Sequence, residues 1–263
     1  VVSHALASLL RGGSDLRSEY LAGRPWPHLL QDGVISPALA ASATSEVDAL
    51  PRSSFTWQHT RRIQKGSVSE IEEMGPSLRS LIASFGSEAF LDHLRLLTGI
   101  PDLSGDPGLA FAGVYLTPPG GGQRVHEDFS RHPFTKRWNR VAVLLYLSDW
   151  APGDGGELEM WGGDPVSPFL VAPVPGRLIT FEPSGLTLHG VRTVCPTSSP
   201  RISLGMRYYS SIPPAIPPRP VYRQTLRRPG ERIIDVLPTV PEVARMAWRL
   251  HEIRKRSPLS KRF

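Results

Sequence analysis

The chain has 263 residues, 40% of them apolar and 21% charged, the composition of an ordinary globular protein. Its longest apolar runs, such as Val141 to Leu147, fall far short of the roughly 20 residues that a membrane-spanning helix needs, so such a span is excluded, and the opening residues read as no secretory leader. A lone cysteine, Cys195, excludes an internal disulfide and a cysteine-based metal site and points to a reducing, cytoplasmic setting, while the net charge of +6 suggests nucleic acid only if it is spread over a face.

Residues 1–105 read mostly as helix, a support region for the rest of the chain. Ser36-Pro37 supplies an N-cap and a first-turn proline, after which Leu39, Ala43, Val47 and Leu50 recur at helical spacing until Pro51. A second helix is predicted over Pro76 to Phe85. A third, capped by Ser87 and carrying Phe90, Leu91, Leu94 and Leu97, ends at Gly99-Ile100-Pro101. Between the first two, Phe55 to Gln64 reads as an edge strand.

From residue 106 to 212 the period changes. Eight short β-type segments, near 109–117, 123–128, 139–148, 156–161, 166–172, 176–182, 187–194 and 200–210, are separated by Gly, Pro, Asp and Ser. With 24 glycines and 27 prolines the chain is no helical bundle. The expected fold is mainly β with flanking helices: a barrel or double-sheet jelly roll covered by the N-terminal helices. Residues 213–263 form a proline-rich connector and a C-terminal helix, with Thr239 and Glu242 as a capping box. That tail holds 12 Lys and Arg against 4 Asp and Glu, so the basicity belongs to it, and residues 1–212 carry a net −2. A solvated helix face accounts for this better than a nucleic-acid footprint. The three parts read as one integrated domain.

The last strand fixes which side chains face inward. In Arg201-Ile-Ser-Leu-Gly-Met-Arg207-Tyr-Tyr, alternation puts Ile202, Leu204, Met206 and Tyr208 on one face, toward covering helices, and Arg201, Ser203, Gly205 and Arg207 on the other. A buried arginine needs an anion. His126-Glu127-Asp128 closes the second segment. Such a His-x-acid match is expected by chance roughly 0.7 times in this chain, and by itself it reads more readily as a surface turn pair. His189 in the seventh segment and Arg201 opening the eighth give it context. Two imidazoles and one carboxylate on one face of a metal leave three positions open, as in non-haem Fe(II) oxygenases. Arg201, with its planar fork, suits the far carboxylate of a 2-oxo diacid.

Residues 113–209 resemble the prolyl-hydroxylase-like branch of the Fe(II)- and 2-oxoglutarate-dependent dioxygenases. The resemblance rests on His126-Glu-Asp128, Val141-Ala-Val-Leu-Leu-Tyr-Leu-Ser-Asp-Trp150, Gly155-Gly-Glu-Leu-Glu-Met-Trp161, Gly176-Arg-Leu-Ile-Thr-Phe181, His189-Gly-Val191 and Pro200-Arg-Ile-Ser-Leu204, in that order. It implies a double-stranded β-helix of the jelly-roll or cupin kind. It also implies Fe(II) held by His126, Asp128 and His189, 2-oxoglutarate anchored by Arg201 with help from the Tyr146 hydroxyl, and O2 as oxidant. Related halogenases replace the metal-binding carboxylate with a small residue; Asp128 is intact, which favours hydroxylation over halogenation, with desaturation or cyclisation using the same ligands.

The expected substrate is a small molecule, an amino acid or a peptidyl residue, with succinate and carbon dioxide as co-products. Arg207 is assigned to an acidic group of that substrate, because the inward positions between it and Arg201 offer no acid, with the co-substrate or an internal acid such as Asp128, Glu127 or Glu157 as the alternative partner, and Arg140, in phase with Ala142, Leu144 and Tyr146, is assigned to the substrate mouth. Gln123, Arg124, His132 and Trp150 are near the site in sequence alone, and Trp161 reads as packing. Two other readings stay open: a nucleobase-demethylase-like oxygenase, since Arg201 and Arg207 are also spaced as in that group, and a non-catalytic metal-bound jelly roll. A homodimer is left open.

Overall fold

Capping chemistry sets the helices. The computed structural model describes residues 14–59, 63–162 and 167–217, so the expected C-terminal helix lies outside the described residues. After α1 (Ser14–Ala22), the Ser36 hydroxyl accepts from Leu39 N at 3.2 Å and Pro37 opens α2 (Pro37–Asp48). The Glu46 carboxylate of α2 accepts from Ser77 N and Leu78 N at 2.8 and 2.9 Å, satisfying N–H groups that α3 (Pro76–Phe85) leaves open at its start. Ser87 caps α4 (Glu88–Thr98), and Gly99, at φ 74°, ends it in the left-handed region. No helix among the described residues is long and apolar enough to cross a membrane.

All eight β-segments of the core are present: β4 (Gly113–Thr117), β5 (Gln123–His126), β6 (Trp138–Tyr146), β7 (Leu158–Trp161), β8 (Phe169–Val171), β9 (Leu178–Phe181), β10 (Leu188–Val191) and β11 (Arg201–Ser210). They divide four and four. The small sheet runs β5-β10-β7-β8, and β9-β6-β11-β4 form the middle of a seven-stranded sheet. Three strands from the N-terminal region complete the large sheet, β1 (His28–Gln31) beside β9 and the hairpin β2 (Thr56–His59) and β3 (Gln64–Val68) beside β4. Residues 1–105 thus supply sheet as well as helix. The edge strand expected at 55–64 is β2, the last strand of the large sheet, and it pairs antiparallel with β3, which starts where the expected range ends. The polar Gln64-Lys65-Gly66-Ser67 run shows no apolar alternation, and its pairing with β2 and β4 is what makes it a strand.

The architecture is the double-stranded β-helix, two facing sheets with helices on the outside of the larger. The strand β11 shows why. Ile202, Leu204, Met206 and Tyr208 belong to the main core with Leu78, Leu81, Phe85, Phe90 and Leu94 of α3 and α4, as alternation requires. The same holds for β6, where Val141, Val143 and Leu145 face the helices while Ala142 and Tyr146 join Trp26, Leu158, Met160, Val171, Ile179 and Phe181 between the sheets. With both faces covered, β6 reads as an almost continuous apolar run.

Asp102 fastens the far end of β11. Its carboxylate accepts from the Ser210 hydroxyl, from Ser211 N at 2.8 Å and Ser211 Oγ at 2.6 Å, and lies 3.2 Å from the Arg137 guanidinium. Burial works to raise its pKa, but these hydrogen bonds override it and take the group from 3.8 to about 2. A carboxyl depressed in the folded state stabilises the protein above its unfolded pKa, and that contribution is lost as pH falls through the folded value. In urea titrations at pH 5 and pH 2.5, wild type is therefore expected to lose more stability on acidification than Asp102→Asn; parallel losses would remove this role.

Candidate active site

Register brings the two histidines together. On β5 and β10, His126 pairs directly with His189, and Gln123 with Val191. The pairing steps two positions along β10 for three along β5, a bulge that changes the parity of β5 and puts Gln123 and His126 on the same inner face. Asp128 follows just beyond β5. One ligand atom from each of His126, Asp128 and His189 lies within 4.8 Å of the others, and all three residues are buried. The imidazole Nε2 atoms are each 3.8 Å from an Asp128 oxygen.

The tautomers follow from backbone contacts. His126 Nδ1 donates to Arg124 O at 2.8 Å and His189 Nδ1 to Thr187 O at 2.9 Å. Each ring therefore turns an Nε2 lone pair to the inside, the arrangement in which histidine ligates metals. Burial lowers both histidine pKa values, that of His126 well below 6.5, so the rings are neutral at pH 7. Burial also works to raise the Asp128 carboxyl, but the Arg207 cation overrides it and holds the group at about 2. Two neutral nitrogens and an ionised oxygen converging with no proton among them fit a divalent cation.

The second feature lies deeper. Arg201 and Tyr146 are 7% and 0% exposed, with the guanidinium carbon 4.9 Å from the tyrosine ring centroid. Arg201 Nη1 donates to Ser203 Oγ at 3.3 Å, while Arg201 Nε and the Tyr146 hydroxyl are buried without a hydrogen-bond acceptor. A guanidinium only donates, so it cannot take the phenol proton, and burial raises the Tyr146 pKa despite the neighbouring cation. The pair presents N–H and O–H donors without a protein acceptor, and a carboxylate fits both. Space for the Arg201 side chain depends on Gly156, at φ 75°, where a Cβ would stand 3.1 Å from Arg201 Cδ. Trp150 Nε1 donates to Gly155 O at 2.8 Å and ties this turn down.

Two expected roles change. Arg207 faces inward, but its Nη1 is 2.7 Å from Asp128 Oδ2, so the anion it needs is an acid of the protein rather than of a substrate. The strand-local argument failed because Asp128 arrives from another sheet. Arg140 binds Glu182 through Nε at 2.6 Å and the carbonyls of Ile212 and Pro213 through Nη1 at 2.6 and 3.2 Å, which leaves it a structural clamp. His132 is structural too: its Nδ1 accepts from Phe134 N and Thr135 N, and its Nε2 faces Asp106 Oδ2 at 3.1 Å. Two residues came into the site that sequence reasoning did not choose, Gln123, 3.0 Å from His126 Nε2, and Lys65, which donates to Gln123 Oε1 at 2.8 Å.

Residues 112–209 match the 2OG-Fe(II) oxygenase superfamily. This segment belongs to that family. The chemistry of the family uses Fe(II), 2-oxoglutarate and O2, and the enzyme is accordingly a dioxygenase. Among curated proteins none matches the chain in sequence. Its fold is similar to that of a Pseudomonas putida prolyl-4-hydroxylase, with 22% identity, TM-score 0.57, and 74% of this chain and 97% of that one covered. It is similar also to a Trichoplax adhaerens prolyl hydroxylase, with 15% identity, TM-score 0.55 and coverage of 78% and 91%. A third similar fold is the carbocyclase SnoK of nogalamycin biosynthesis, with 12% identity, TM-score 0.55 and coverage of 80% and 95%.

Removing the Arg207 cation should leave the Asp128 charge buried and uncompensated in the metal-free oxygenase. Arg207→Met is expected to cost on the order of 3–5 kcal/mol, and Asp128→Asn to recover part of it in the double variant. Additive losses in urea unfolding would show that the two side chains are not coupled.

Proposed function

We propose that this oxygenase hydroxylates an unactivated C–H bond of a small molecule, an amino acid or a peptidyl residue, with Fe(II) held by His126, Asp128 and His189 and the distal carboxylate of 2-oxoglutarate held by Arg201 and Tyr146. The observation that carries the reading is the pairing of two sites in one interior, a three-ligand cage with its lone pairs turned inward and a buried cation–phenol pair whose donors converge. When bound, the iron supplies the activation of dioxygen that is coupled to oxidation of 2-oxoglutarate to succinate and carbon dioxide.

The protein's own part is position and charge. The carbonyls of Arg124 and Thr187 hold the imidazoles in the ligating tautomer. Arg207 keeps Asp128 ionised. Arg201 and Tyr146 orient the co-substrate from its far end, and the apolar floor of Tyr146, Leu158, Met160, Ile179 and Phe181 excludes water around it.

A peptidyl substrate gains support from the Trichoplax adhaerens enzyme, which was solved with a peptide fragment of hypoxia inducible factor. Cyclisation is the alternative outcome on the same fold, supported by the carbocyclase. The lone Cys195 supports a reducing, cytoplasmic setting.

Two substitutions test the assignment. Asp128→Ala should lose metal binding, measured by calorimetry under anaerobic conditions, and with it all decarboxylation of 2-oxoglutarate. Arg201→Ala should keep the metal while co-substrate affinity falls by about two orders of magnitude or more, the consequence of leaving a buried carboxylate unpaired. Wild-type affinities in either variant would overturn the corresponding role.

A further inference from the structure

We propose that Arg140 is a positioning residue for His189: through the loop between β9 and β10 it fixes the carbonyl that sets the tautomer of that ring. The inference rests on the functional reading above and adds to it how one ligand of the metal is held in its ligating form.

A bulge aims the side chain. Tyr208 of β11 pairs with Val141 and the next residue, Tyr209, with Asn139, so Arg140 is the extra residue that the register of β6 on β11 skips. Its side chain is buried and spends its donors on two separate segments. Nε donates to Glu182 Oε1 at 2.6 Å, and Nη1 to the carbonyls of Ile212 and Pro213 at 2.6 and 3.2 Å. Because the guanidinium holds its donors in one rigid plane, a single side chain sets the two segments relative to each other.

Those segments close into a ring of contacts. Glu182 opens the loop 182–187, and Ile216, further along the connector from Ile212, accepts from Gly185 N at 3.0 Å. A Cβ on Gly185 would stand 3.1 Å from Pro217 O, so connector and loop lie directly against one another. Inside the loop, Thr187 Oγ1 accepts from Ser184 N at 2.8 Å and donates to Ser184 O at 3.1 Å. The loop thus reaches Thr187 pinned at its start by Arg140, in its middle by the connector and at its end by its own threonine. Thr187 O is the acceptor for His189 Nδ1, and Phe181, the residue before Glu182, sets its ring edge-on to His189 with centroids 5.2 Å apart.

The two histidines differ in what holds their acceptors. For His126 the acceptor is Arg124 O, which lies within β5 itself. Thr187 stands just before β10, which starts at Leu188, so strand pairing does not hold its carbonyl and the loop contacts have to. If Thr187 O swings away, the His189 hydrogen is free to move to Nε2, the nitrogen that a metal needs bare.

The test uses the full chain with isotope-labelled histidine. Nitrogen NMR of the metal-free protein at neutral pH reports which ring nitrogen of His189 carries the hydrogen, with its signals identified by their loss in His189→Asn, and urea unfolding measures stability in parallel. Wild type is expected in the Nδ1–H form. In Arg140→Met and in Thr187→Val the two His189 signals should move toward each other while those of His126 stay in place, and Mn(II) affinity by calorimetry should fall about tenfold, the loss typical when a ligating histidine loses its orienting partner. Glu182→Gln, which keeps an acceptor for Arg140 Nε, should stay close to wild type, and Glu182→Ala should follow Arg140→Met. Should Arg140→Met fail to fold, Glu182→Ala and Thr187→Val carry the same comparison. Failure of wild type to bind Mn(II) would count against the metal assignment, and the ring signals would then decide the positioning by themselves. An unchanged His189 tautomer in the variants, whatever their stability, or an equal disturbance of His126, the mark of general loosening, would overturn the proposal.

Discussion

The strand β11 is the constraint on which the rest of this structure depends. It is central in the large sheet and covered on both faces, so its alternation forces two incompatible environments into one ten-residue segment. The outward side chains are apolar and hold the helices. The inward ones include two arginines, and a guanidinium between packed sheets must find an anion. Asp128 meets that need for Arg207 from the opposite sheet. For Arg201 the described residues offer a serine hydroxyl and a tyrosine ring, which leaves its charge for a ligand to balance.

Charge compensation of this kind also explains why the cage of His126, Asp128 and His189 tolerates burial. An ionised carboxylate beside two imidazoles would ordinarily take up a proton or draw one onto a ring. Arg207 stabilises the anion, burial keeps the rings neutral, and two backbone carbonyls decide which nitrogen of each carries its hydrogen. The interior is thereby preorganised in charge and in tautomer before any cation arrives. The apolar half of the same interior, around Met160 and Phe181, is what makes these polar groups count, since fixed dipoles act more strongly where water is excluded.

The non-core strands matter as much as the core. Without the hairpin of β2 and β3, the large sheet would end at β4 and no lysine would approach His126 from that side. Its closure onto β5 brings Lys65 within one amide group of the cage. The fold shared with prolyl hydroxylases and a carbocyclase therefore leaves room for different substrates, because residues next to the cage come from peripheral elements that can vary independently of it.

The sequence by itself determined what depends on local period and local chemistry. Caps at Ser36 and Ser87, the glycine at 99, eight short strands between turns and the two faces of β11 could all be read along the chain, because a helix turn, a cap or a pleat is fixed by residues only a few positions apart, whereas the trio His126, Asp128 and His189 came from the resemblance of six ordered motifs to a family. The strands β1 and β3 were harder, since pairing and not pattern makes them sheet. What only tertiary structure decided was the partner of each buried charge. Arg207 turned to Asp128 and Arg140 to Glu182, contacts spanning 79 and 42 positions that no strand-local argument can supply. The β5 bulge is the clearest instance. A single extra residue reverses the parity of a strand, so Gln123, which alternation in sequence would point away from His126, stands beside it, and the physical reason is that register is set between strands rather than within one.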